Sequence, residues 1–271
     1  MSHLLKHLKP FFWMILIAIV LLFVQANSEL SLPDYLSRIV NVGIQQGGVE
    51  NAVPVAIRQN RMEEVTLLLS DTDRERVLQS YNLVTPGSTE AQALLKQYPA
   101  LSTEAVYIRK DLDDSEMEWL NTTMTHALLV TSGIERAFAN PDQAAIPGFD
   151  ISAFPAGTNP FDLLKKAPPE MLARLREQIN TTMDAQLKAL GENMAEQTAI
   201  QVVKAEYTAL GMDMTALQTG YILRIGGIML LITLLSVASA IGVGFFASRT
   251  AAGFGRRSEE RRVGKECRSR W

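Results

Sequence analysis

Apolar residues along this chain gather in two uninterrupted runs, and the stretch between them is patterned differently. From Pro10 to Ser28 there is no ionisable side chain, and the centre of the run reads FFWMILIAIVLLFV. From Ile225 to Ser248 there is again none: IGGIMLLITLLSVASAIGVGFFAS. At about 1.5 Å of rise per residue, the 24 residues of the second run reach roughly 36 Å, enough for a hydrocarbon core of about 30 Å. The 19 residues of the first run reach roughly 28 Å. Both read as transmembrane helices. Past the first run, Leu30, Leu32, Leu36, Ile39, Val40 and Ile44 keep an apolar face, as though one long helix left the membrane. The competing reading of the first run is a signal peptide, with MSHLLKHLKP as its positive head and Ala26-Asn27-Ser28 as its cleavage site.

Between the runs, helix signals dominate. Ser70-Asp-Thr-Asp73 before RERVLQSY resembles a capping box, with Asp73 in place of the usual Glu. Ser88 opens a short helix over AQALLKQY that Pro99 stops. Asp114-Ser115 precedes a long helix from about Met117 to Phe138. Residues 139–160 hold four Pro and two Gly and read as a loop. Pro168-Pro169 then starts a helix that ends at Gly191, and another runs from Asn193 to Leu210 before Gly211. Alternation of β-branched residues is almost absent. The fold class expected is therefore all-α: two transmembrane helices flanking a small helical domain, a bundle over residues 45–214.

Composition sharpens this picture. A mean hydropathy of +0.06 with 20% charged residues excludes a disordered chain. A net charge of −3 argues against a nucleic-acid partner, which needs a basic surface. The single cysteine, Cys267, excludes a disulfide scaffold. Residues 45–214 carry 24 acidic and 14 basic residues, so the acidity belongs to the insert. Lys6 and Lys9 precede the first run, and Arg249 and Arg256 follow the second. Basic flanks stay in the cytoplasm, which places both ends inside and residues 45–214 outside the cell membrane. Arg224, at the outer edge of the second run, dissents mildly and can snorkel.

Candidate chemistry is sparse. His3 and His7 stand one helical turn apart with no third metal ligand, which suits an interfacial amphipathic helix better than a metal site. His126 stands alone on an insert helix. Asp111, Asp113, Asp114, Glu116 and Glu118 lack the central Gly and terminal Glu of a calcium loop, and read as acidic residues favouring a helix start. No Gly-x-x-x-x-Gly-Lys-Ser/Thr phosphate loop occurs; Gly264-Lys265 is followed by Glu266. Asn121-Thr-Thr and Asn180-Thr-Thr fit the glycosylation sequon. No catalytic, cofactor or metal residue is assigned. In the second run, Ser236, Ala240 and Gly244 recur at four-residue spacing, with Ala238 and Gly242 on a neighbouring ridge. Such small residues let helix backbones approach closely in membranes.

The opening HLLKHLKPFFWMILIAIVLLFVQANSELSLPDYLSRIVNVGI resembles the first segment of the membrane domain of ABC exporters. In that family an elbow helix with Leu-Lys-Pro leads into a long first span, which ends in a pattern like Leu32-Pro33-Asp34…Ile39-Val40-Asn41-x-Gly43-Ile44. The exit of the second run, Ala247-Ser-Arg-Thr-Ala-Ala-Gly-Phe-Gly-Arg256, is similar to the family's second helix entering its first intracellular loop. About 44 residues at the front and 36 at the back carry the match. The acidic insert departs from the family's usual short loop and resembles a subset of bacterial half-exporters with an enlarged first external loop. The organisation implied is an elbow over residues 1–9, a first span with its outer extension over 10–44, the insert over 45–214, and a second span with the start of an intracellular loop over 215–256. The last fifteen residues, 257–271, resemble an in-frame translation of a sequencing adapter and read as a non-native tail. The rival is a native basic segment on anionic lipid.

The resemblance implies two of the six spans of a multidrug-type permease subunit in a bacterial inner membrane. Its partners would be the lipid bilayer and a second transporter subunit in a homo- or heterodimer. ATP and Mg would belong to the nucleotide-binding domain of the full-length parent, with no cofactor in this segment. The alternative is a two-span receptor whose helical outer domain senses a ligand. A third reading, a secreted protein with a C-terminal anchor, needs cleavage near Ser28.

Overall fold

In the computed structural model, residues 12–139, 159–168, 170–178, 181 and 191–268 are described, the last of these from 256 onward as backbone. The elbow with His3 and His7, most of the loop at 139–160, Asn180 and much of the helix expected before Gly191 lie outside the described residues. The protein is 77% helix and 5% strand. It divides into two compact units, Met1–Asn41 with Tyr221–Trp271, and Val42–Gly220.

The first unit holds the two apolar helices. Helix α1 spans Phe12–Arg38 with Pro33 inside it, and the next seven residues, Ile39–Gln45, form a π-helical segment. The second apolar helix belongs to an element of 55 residues, Met214–Arg268. Both are long and apolar enough to cross a membrane, and their most apolar windows are only 6% and 11% buried. A core helix of a soluble protein would be covered on most sides, so burial speaks against that role for either.

The second unit is not all-α. It carries a three-stranded antiparallel sheet in the order β1-β3-β2, made of β1 Ala56–Arg58, β2 Tyr81–Val84 and β3 Val106–Arg109. The central strand β3 sets Val106 opposite both Arg58 and Val84. These strands of three or four residues are too short to show a period, which is why a helical pattern alone was expected. Around them lie α2 Gln59–Thr66, α3 Asp71–Gln79, α4 Thr89–Leu94, α5 Asp114–Ala139, α6 Pro160–Lys166 and α7 Glu192–Ala209. The long Met214–Arg268 helix is α8.

Caps set these boundaries. Ser70 Oγ accepts from Asp73 N at 3.1 Å, the first half of a capping box, while Asp73 Oδ2 accepts from the Ser70 hydroxyl at 2.7 Å rather than from the Ser70 backbone N–H. Ser88 Oγ accepts from Ala91 N at 3.0 Å, and Asp113 Oδ1 accepts from Glu116 N at 2.7 Å. That bond to a backbone N–H holds the Asp113 carboxyl below its ordinary range. Helix α7 ends in a Schellman motif: Met212 N donates to Tyr207 O and Gly211 N to Thr208 O, each at 3.0 Å, with Gly211 at φ +77°. One core joins sheet and helices through Ile57, Met62, Val77, Leu101, Leu120, Met124, Leu128, Ile200 and Leu210. A smaller cluster gathers Leu68, Val130, Ile134, Phe161, Leu164 and Leu175 under α5 and α6.

Candidate functional site

The first unit is built on a repeat. Along α1 the covered positions include Met14, Ala18, Leu21, Gln25, Ser28, Leu32 and Tyr35, spaced alternately by four and three residues, with Ile15, Val24 and Ser31 half-buried beside them. Along α8 from Ile232 onward they include Ser236, Ser239, Val243, Phe246, Thr250 and Gly253, with the same spacing from Ile232, and Gly242 is half-buried beside them. A repeat of 3.5 residues keeps one narrow seam facing a partner and imposes left-handed packing. Two contacts set direction and register. Ser236 Oγ donates to Glu29 Oε1 at 3.3 Å, and a Cβ placed on Gly242 would stand 2.7 Å from Leu21 Cδ1. Moving back along α1 moves forward along α8, so the pair is antiparallel.

Of the five small residues expected at a helix contact, Ser236 is buried and Gly242 half-buried against α1, while Ala238, Ala240 and Gly244 are exposed. The structure therefore takes one member from each four-residue ridge. Ser239, which the four-residue spacing passes over, is 2% exposed. Its signal was the heptad phase shared with Ser236 and Val243. Close to the seam, Gln25 Nε2 donates to Glu29 Oε1 at 2.9 Å. Glu29 Oε1 thus accepts from both helices, and no cation pairs with this carboxylate among the described residues.

The second unit uses its charges differently. Glu206, 5% exposed on α7, accepts from Arg58 N, Nε and Nη2 at 2.9, 2.9 and 2.8 Å. This bidentate pair fixes strand β1 to α7, and it raises the Arg58 pKa through the Glu206 hydrogen bonds first. Tyr207 accepts from Val55 N at 2.8 Å, and burial pushes its phenol up to about 12. Arg76 lies 3.9 Å over the Trp119 ring while its fork meets Glu116 at 3.0 and 2.6 Å. Arg61 is held by Glu64 and Glu135. The acidic residues Asp113 and Glu116 are thereby a cap and an ion pair, and no metal-holding group of His, Cys, Asp and Glu occurs among the described residues.

Asn121 is committed structurally. Its Oδ1 accepts from Ala52 N at 2.9 Å and its Nδ2 donates to Glu196 Oε1 at 2.7 Å. A glycan there would displace the Glu196 bond. His126 is half-buried on α5. A shallow cleft of about 270 Å³ lies among Ile44, Gly47, Lys204, Thr208, Met214 and Gln218. Its Lys204 ammonium points toward Gln45 O at 3.4 Å, and Gln218 Nε2 donates to Gly43 O at 2.9 Å, a carbonyl of the π-helical segment. No nucleophile–base pair lines it. Comparison with protein-family models, with curated proteins and with solved structures yields no match.

Proposed function

We propose that this chain contributes two spans and an external domain to the permease subunit of an ATP-driven exporter. The observation that carries the reading is the narrowness of the seam between α1 and α8. One stripe is covered, while Leu230, Leu231, Leu234, Ile241 and Phe245 stay exposed together with Ala238, Ala240 and Gly244. Large apolar residues suit lipid, and small ones suit close approach of further helices. A bundle of six spans would use both surfaces. ATP and Mg would be handled elsewhere in such a protein, because this chain has no phosphate loop.

In this reading residues 45–214 stand outside the bacterial membrane and gate the outer mouth or dock a partner there. Removing residues 46–212 from the complete transporter is expected to change export rate or drug profile, and unchanged transport would refute a gating role. The decisive observation is the native reading frame beyond Arg256. Four more spans followed by a Gly-x-x-x-x-Gly-Lys-Ser/Thr loop are expected, and a coiled-coil signalling module in their place would overturn the exporter. The receptor remains the second reading, favoured by a helix α8 that runs unbroken from Met214 through the apolar run to Arg256, since a continuous rod can carry a displacement along its axis. Against it, ASRTAAGFGR lacks the Pro and apolar heptad of a signalling linker.

A further inference from the structure

Past α1 the chain changes its winding before it enters the second unit. Ile39–Gln45 is π-helical, each turn taking about one residue more than an α-turn. Four of its seven residues, Ile39, Val40, Val42 and Ile44, are β-branched and a fifth is Gly43, so the stretch has little preference of its own for α winding. Bonds from beyond the segment hold it instead. Gln218 Nε2 donates to Gly43 O at 2.9 Å, Lys204 Nζ reaches Gln45 O at 3.4 Å, and Gly48 N donates to Val42 O at 2.8 Å. Gly48 makes that turn at φ +85°, and its backbone lies so close to α8 that a Cβ would meet Leu217 O at 3.0 Å. Directly after the segment, Gln46 is 9% exposed and its Oε1 has no hydrogen-bond partner among the described residues. An unpaired buried acceptor is a cost that the outside bonds must offset.

We propose that Ile39–Gln45 is a two-state joint, π-wound while Gln218 and Lys204 clasp its carbonyls and α-wound when they let go. Each residue advances an α-helix by about 100°. Absorbing the extra residue of a π-turn therefore turns α1 about its own axis by about that angle against the residues that follow. The clasp has room to open. Gln218 and Lys204 line a cleft of about 270 Å³ together with Ile44 and Met214, and Ile44 is 58% exposed, so release displaces no core residue. The clasping side chains and the carbonyls they hold all belong to Val42–Gly220. The joint is thus set from within the second unit and acts on α1, turning a small local change into rotation of a long helix.

The joint depends on neither the exporter nor the receptor reading, and its test needs no transport. The whole chain, carrying Cys267→Ser, is placed in phosphatidylcholine vesicles. Spin labels are attached at Leu83 and, in separate samples, at Leu30 or Leu36, which are 44%, 75% and 55% exposed. Leu30 and Leu36 lie on different faces of α1, so a turn of the helix moves them unequally. In Gln218→Leu at least one of the two distances to Leu83 is expected to change by about 5 Å or more, the scale of a side chain carried around a helix about 10 Å across. Gln218→Lys, which keeps an N–H donor, should retain the unaltered distances. Deleting Asn41 removes the extra residue, so that chain should be α-wound and its distances should no longer respond to Gln218→Leu. Unchanged distances in Gln218→Leu, equal shifts at both labels, or a response that survives the deletion of Asn41 overturn the joint. Hydrogen exchange on the unaltered chain decides the matter where a variant fails to fold. Amides of residues 43–48 should exchange together and ahead of those in α7, and protection equal to that of α7 overturns the proposal.

Discussion

At the scale of single residues, stability concentrates where a polar group has several jobs. Glu206 satisfies a backbone N–H and both arms of Arg58 from a site 5% exposed. Replacing it by Ala strands a guanidinium against the sheet edge, and Glu206→Ala is expected to cost about 3 kcal/mol in chemical denaturation. Gly211 is held at φ +77°, and a Cβ there would meet Pro99 Cβ at 3.1 Å. Gly211→Ala is accordingly expected to cost about 1–2 kcal/mol by thermal unfolding, whereas Gly87→Ala, with open space around it, carries the backbone strain alone and costs less. The Lys165 hydrogen bond lowers the Glu63 pKa. A carboxyl whose folded pKa is depressed stabilises above its unfolded value, and that contribution fades as pH falls through the folded one. Stability between neutral pH and the lower carboxylate range should therefore drop less with acid in Lys165→Met than in the unaltered protein, read from denaturation midpoints at several pH values.

At the scale of elements, the contrast lies between caps that were readable and packing that was not. Ser70, Ser88, Asp113 and Gly211 act within four residues of their own positions, so their chemistry is legible in order along the chain. The three strands are not, because each is a few residues long and gains its hydrogen bonds from a partner distant in sequence, as Ala56 does from the Ile108 position. The seam between α1 and α8 falls between these cases. Small residues at four-residue spacing announce a contact, yet the partner selects Ser236, Ser239 and Gly242 and leaves Gly244 open. Gly242→Val should push against Leu21 and destabilise the pair by about 1–3 kcal/mol. Spin labels at exposed Phe23 and Ile241 are expected to report a longer distance in that variant. Leu21→Ala should restore it, and Gly244→Val should leave it unchanged.

At the scale of the whole molecule, an acidic, well-capped domain and two charge-free helices solve different solvation problems. The domain buries its apolar residues among its own elements, with Phe161 at 1% exposure and Met124 at 0%. The helices leave theirs outward, which requires lipid or further helices around them. Detergent removal is thus expected to aggregate the full chain, whereas bilayer vesicles keep it dispersed, as scored by sedimentation. The unit boundaries at Asn41 and Gly220 fall inside helical segments and mark where one solution gives way to the other along the chain.

Sequence by itself determined the two apolar runs, the acidic stretch between them, the caps and most helix positions, because hydropathy and capping depend on neighbours along the chain. It left the small sheet unseen, since strand pairing is a property of segments far apart. Glu29 directly follows the first apolar run along the chain. Only the tertiary structure decided that this carboxylate meets Ser236, because the register of two antiparallel helices depends on which side chains interlock across the seam, and no single run contains that information.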